Sequence, residues 1–190
     1  MDSIQLKSQS PYKRGADWGA WFGIYLSALF FATSYSVSYP VCGWLGLLLI
    51  VGVPPCIFLM LRKSYIADNG KTIFSSLWME GIAIFFFGGL IASIVAMVYM
   101  RWIEPSFFDT RIDALIELYS EMKDIPQAQE AAELLQTARD QKVLPKPIEL
   151  TIDMLWLIVF TGSLLSMIMS WLVQLFKVSP SAPNPKNNLR

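Results

Sequence analysis

After Glu80 the chain runs from Gly81 to Met100, twenty residues, without one charged side chain. A helix rises about 1.5 Å per residue, so roughly 20 residues cross a hydrocarbon core about 30 Å thick. Three other stretches, 18–37, 41–61 and 152–176, are similarly long and apolar, and the first run extends to 73–100. Strands of a membrane barrel alternate apolar with polar residues, whereas "AIFFFGGLIASIVAMVYM" does not. Helices are the remaining structure that satisfies every backbone polar group inside lipid. The expected fold is therefore all-α, an integral membrane four-helix bundle. The first stretch is longer than the apolar core of a signal peptide and reads as a retained helix.

Composition agrees, with 54% hydrophobic residues and a mean hydropathy of +0.45. The 15 basic and 15 acidic residues cancel, leaving no electrostatic footprint for nucleic acid. Their distribution sets the expected topology. Lys7, Lys13 and Arg14 precede the first helix, Arg62, Lys63 and Lys71 lie between the second and third, and Lys177, Lys186 and Arg190 follow the fourth. Basic loops remain in the cytoplasm, so both termini are expected there. Residues 101–150, with ten acidic and six basic side chains, fall on the opposite face. The chain divides into an N-terminal tail (1–17), three transmembrane helices (18–102), a periplasmic insert (103–150), a fourth transmembrane helix (151–176) and a C-terminal tail (177–190). The seven Trp residues fall near expected helix ends, the depth that amphipathic indoles prefer.

An ionisable residue in a membrane segment is a functional-site hypothesis, and Glu80 is the foremost here. With Arg101 and Trp102 anchoring the outer end, Glu80 is expected at headgroup depth. There it lies near the positive end of its helix dipole, within reach of Lys71, Lys13 or Arg14. An interfacial or inter-helix ion pair is the preferred reading, and an ion or proton relay is its rival. Asp17 and Asp153 are expected at helix N-termini on opposite faces, where negative charge meets the macrodipole.

The chain has no histidine, which excludes Ser-His-Asp and Cys-His catalysis, histidine-ligated haem and H-E-x-x-H zinc sites. Cys42 and Cys56 lie on one helix about 20 Å apart, too far to pair. There is no glycine-rich phosphate loop, and Asn69-Gly70 reads as a turn. No enzyme activity, cofactor or metal is expected.

Small residues recur at fourfold spacing, an arrangement that lets helix backbones approach closely. Gly15, Gly19, Gly23 and Ser27 form such a ladder on the first helix, Gly88, Ala92 and Ala96 on the third, and Gly162, Ser166 and Ser170 on the fourth. Packing within one bundle is the preferred use, and homo-oligomerisation is the alternative. Pro54-Pro55 is expected to kink the second helix or end its regular part. In the insert, Ile112, Leu115, Ile116, Tyr119 and Met122 trace one apolar face. Pro126 opens a second helix, with Ala128, Ala131, Leu135 and Ala138 on one side. Pro145 and Pro147 are expected to end it. Residues 110–141 would cap the bundle or receive a membrane or periplasmic protein partner.

The turn "YIADNGKTIFSSLWMEG", the long third helix, the exit "VYMRWIEPSFFD", the helical insert and the Gly/Ser-rich last crossing together resemble a family of small bacterial membrane proteins known as domain of unknown function 4199. The resemblance covers about residues 15–177. It implies a bacterial inner-membrane protein and brings no catalytic residue or substrate. The resulting expectation is a non-enzymatic membrane component or interaction module embedded in the lipid bilayer. The alternative is a small transporter or channel subunit that uses Glu80.

Overall fold

The computed structural model describes residues 10–36, 39–122, 125–141 and 146–176, with Pro147 described by its backbone alone. Among the described residues the chain is all-α, in the order α1 (Pro11–Ser34), α2 (Pro40–Ala67), α3 (Phe74–Val98), a π-helical turn (Tyr99–Ile103), α4 (Phe107–Glu121), α5 (Pro126–Asp140) and α6 (Pro147–Leu175). The tails 1–9 and 177–190, Val37 and Pro145 lie outside the described residues.

Among the described residues three helical stretches are long and apolar enough to cross a membrane: Pro40–Ala67, Phe74–Ile103 and Ile148–Leu175. α1, the expected first span, falls short of that apolarity because Trp, Tyr, Gly, Ser and Thr dilute its hydrocarbon. Large apolar side chains stand exposed along the long helices, including Leu47, Leu48 and Val51 on α2 and Phe160, Leu164 and Ile168 on α6. Such continuous faces are costly in water and ordinary in lipid. They suggest a membrane protein.

Helix boundaries follow local chemistry and correct several expectations. α1 begins at Pro11, seven residues before the apolar stretch. Ser10 caps it, its Oγ accepting from Lys13 N at 3.4 Å, and Pro11 occupies the first turn. Asp17 is thus in the second turn, not at the helix start. α6 likewise begins at Pro147, and its first-turn acid is Glu149 rather than Asp153. Pro147 therefore opens a helix instead of closing one. α2 continues through Pro54 and Pro55 to Ala67, so the prolines do not end it. It stops where Asn69 N–H bonds Ile66 O and Gly70 N–H bonds Tyr65 O, both at 2.9 Å, a Schellman closure. Asn69 (φ 53°) and Gly70 (φ 71°) both take the left-handed conformation, which only glycine adopts freely.

The chain forms two compact units. The first comprises Met1–Ala92 with Leu157–Arg190. Its core includes Phe22, Ile57, Leu61, Leu77, Ile84, Phe85 and Val173, with Phe22 and Phe85 edge to face at 5.0 Å. The glycine ladders set its helix spacing. A Cβ on Gly19 would sit 2.7 Å from Phe87 Cβ, one on Gly23 2.8 Å from Ile91 Cβ, and one on Gly88 2.8 Å from the Phe22 ring. α1 and α3 therefore meet backbone to backbone. On the other side of α3, a Cβ on Gly81 would sit 2.6 Å from Ser166 Cβ, and Gly162 lies against the Phe85 ring. Trp78 Nε1 donates to Ser163 O at 3.1 Å across the same seam. Ala92 is buried as well.

The second unit is Ser93–Trp156. The π-helical turn ends α3, with Glu104 N–H bonded to Tyr99 O at 2.9 Å. Helices α4 and α5 pair, and Arg139 near the end of α5 reaches Asp113 in the middle of α4 at 2.6 Å. Ile112 of the expected apolar face is buried, while Leu115 and Met122 are exposed. On α5 the buried positions are Ala128 and Ala132, and Ala131 is only half-buried.

Candidate functional site

Glu80 lies in the second turn of α3 and is 0% exposed. Of the three cations within its expected reach, Arg14 meets it: Arg14 Nη2 stands 3.3 Å from Glu80 Oε2. Lys13 and Lys71 are exposed. The carboxylate is therefore fully enclosed within the first unit, and its partner is a charge from another helix rather than the start of its own.

The fold brings Arg14 there. Gly15, its neighbour, lies so close to α3 that an added Cβ would sit 3.0 Å from the carbonyl oxygen of Glu80 itself and 2.5 Å from Ala83 Cβ. The glycine that begins the ladder thus places the guanidinium beside the carboxylate. Helix α2 completes the enclosure. Ser64 Oγ–H donates to Glu80 Oε1, and one turn later Asp68 Oδ2 accepts from Arg14 Nη1 at 2.7 Å. Thr72 Oγ1–H donates to the same Asp68 oxygen at 2.7 Å.

One guanidinium therefore serves two carboxylates, unequally. Its bond to Asp68 is short and aligned, whereas Glu80 Oε2 has an ion contact without hydrogen-bond alignment. Arg14 Nε is buried and unpartnered. The Arg14 and Asp68 side chains are 12% and 21% exposed, so both are sheltered from water. Burial pushes the Asp68 carboxyl up, but the hydrogen bonds from Thr72 and Arg14 and the Arg14 charge outweigh it. The net effect holds Asp68 below its ordinary value.

Asp17 does not join this cluster. It is exposed and lines an open cavity of about 390 Å³ with Arg14, Trp18, Lys63, Ser64 and Ala67. Lys63 Nζ lies over the Trp18 ring at 5.4 Å. The packing residues line two helix seams: Gly15, Gly19 and Gly23 the α1–α3 seam with Gly88, and Gly162 and Ser166 the α3–α6 seam. Ser166 and Ser170 are fully buried with unpartnered hydroxyls. Cys42 and Cys56 are both free. Among the described residues no three His, Cys, Asp or Glu side chains converge on a metal-sized site.

Sequence reasoning missed Ser64, Asp68 and Thr72. A signal for Asp68 was available: it immediately precedes the Asn69-Gly70 stop, and Ser64 lies one helical turn before it. No local pattern, however, ties either residue to Arg14, 54 positions away from Asp68 in the chain.

No curated protein and no solved structure matches this chain. A family model described as a protein of unknown function (DUF4199) matches residues 17–174, which contain α2 through α5, most of α1 and α6, and every member of the charge cluster except Arg14. The chain belongs to the DUF4199 family.

Proposed function

We propose that this protein is a non-enzymatic component of the bacterial inner membrane. It is a four-helix bundle of α1, α2, α3 and α6, with both termini cytoplasmic and the α4–α5 pair as an extracytoplasmic insert. The observation that carries this reading is the clasp at Glu80. Its carboxylate, the one charge in the first half of the α3 span, is bound by Ser64 of α2 and Arg14 of α1, so three helices are joined at one point. A charge enclosed and partnered in this way fixes which helices meet and in what register. Exposed Leu115, Leu118, Met122 and Leu134 on α4 and α5 support a role for residues 110–141 as the surface that receives a membrane or periplasmic protein partner.

A transporter or channel subunit is the second reading, favoured by a specific feature. Glu80 Oε2 lacks a hydrogen bond, and the open cavity reaches both Arg14 and Ser64, its two neighbours. The test is pH-dependent ion flux in proteoliposomes of the wild type and Glu80→Gln. The scaffold reading expects no flux from either. Wild-type flux that vanishes in a folded Glu80→Gln protein would replace it with the transporter.

A further inference from the structure

A hollow of about 330 Å³ opens on the surface of the first unit between α2 and α6, lined by Pro54, Pro55, Phe58, Met169, Leu172 and Phe176. Every lining residue is apolar. On the α2 side its wall is two consecutive pyrrolidine rings and the Phe58 ring. Its size lies at the lower end of small-molecule pockets, about 300–1,000 Å³. A partner helix, about 10 Å across with its side chains, needs a long face rather than a short recess. A flexible hydrocarbon chain fits the recess.

The charge at one end identifies the class of lipid. Phe58 and Phe176 meet edge to face at 6.2 Å, and the Arg62 guanidinium lies 5.9 Å from the Phe58 ring, one turn nearer the end of α2. Arg62 is exposed, and among the described residues no carboxylate pairs with it. An apolar slot thus leads to an unneutralised guanidinium at the polar end of a helix long enough to span a membrane. A guanidinium recognises phosphate through paired N–H donors.

We propose that this groove binds an anionic phospholipid, with one acyl chain between α2 and α6 and the headgroup phosphate on Arg62. The site rests on the membrane reading above, and alkaline carbonate extraction tests that reading separately. Release of the chain by carbonate would overturn both. Retention leaves the lipid site to be decided by native mass spectrometry of the full detergent-purified chain with phosphatidylglycerol and phosphatidylcholine added in equal amounts. The wild type is expected to retain phosphatidylglycerol about fivefold over phosphatidylcholine, the worth of roughly one basic side chain against an anionic headgroup. Arg62→Gln, an exposed substitution, should bring the ratio close to one, and Lys71→Gln should leave it unchanged. Met169→Trp should fill the groove and lose both lipids. Equal retention by the wild type, a preference that persists in Arg62→Gln, or an equal loss in Lys71→Gln would overturn the site.

Discussion

Replacing Arg14 with Met keeps most of the aliphatic stem and removes the guanidinium, leaving Asp68 and Glu80 as two carboxylates without a cation between them. The two are not equally affected. Asp68 retains the Thr72 hydroxyl and some access to water, with 21% of its side chain exposed. Glu80 has no access to water and keeps only the Ser64 bond. Breaking a buried pair by removing one partner costs about 3–5 kcal/mol, against about 0–1 kcal/mol for a surface pair. Total stability is about 5–15 kcal/mol, so Arg14→Met should remove a large share of it. Urea unfolding in detergent micelles, followed by Trp fluorescence, measures the loss. A second substitution isolates the cause: Arg14→Met with Glu80→Gln removes the stranded charge and retains the acceptor for Ser64. It should recover about half of the loss or more, because a neutral amide costs far less to bury than an unpaired carboxylate. A single substitution that costs less than about 1 kcal/mol would show that Arg14 behaves as a surface charge. A double variant no more stable than Arg14→Met would show that the loss does not come from a stranded Glu80 charge.

Gly19→Leu should destabilise the first unit by about 1–3 kcal/mol through overpacking, since even its Cβ would sit 2.7 Å from Phe87 Cβ. Thermal melting with size-exclusion chromatography checks this, and a variant that stays folded but dissociates from oligomer to monomer would assign the ladder to self-association. Asp68, held below its ordinary carboxyl value of 3.8 in the fold, stabilises the protein above that pH. The contribution is lost as pH falls through the lower folded value, so Asp68→Asn should flatten the decline in melting temperature on acidification below about pH 4. An equally steep decline in the variant would remove Asp68 from the account. In a background without Cys42 and Cys56, a cysteine at Asn69 should resist a membrane-impermeant thiol reagent in intact spheroplasts, while one at Gln129 should react. The opposite pattern would invert the topology.

The elements of this fold are legible in the chain because each is set by neighbours in sequence. Uncharged runs of about 20 residues mark helices long and apolar enough to cross a membrane, and Asn69-Gly70 ends α2 in a Schellman turn, whereas the Ser10-Pro11 start of α1 lies seven residues ahead of the apolar run that signals that helix. The small-residue ladders also mark which helix faces allow close approach. What periodicity does not encode is which faces meet. The sequence offered Glu80 three cations, Lys13, Arg14 and Lys71, and was silent on Ser64 and Asp68. Tertiary packing chose among them: Gly15, Gly19 and Gly23 have no Cβ to hold α1 away from α3, so the two backbones close, and Arg14 alone of the three reaches the buried carboxylate. The same closure turned Glu80 from a charge with several candidate partners into one sealed among three helices. That difference depends on contacts across 54 and 16 residues of chain, a long-range complementarity of shape and charge that exists only once the helices have packed.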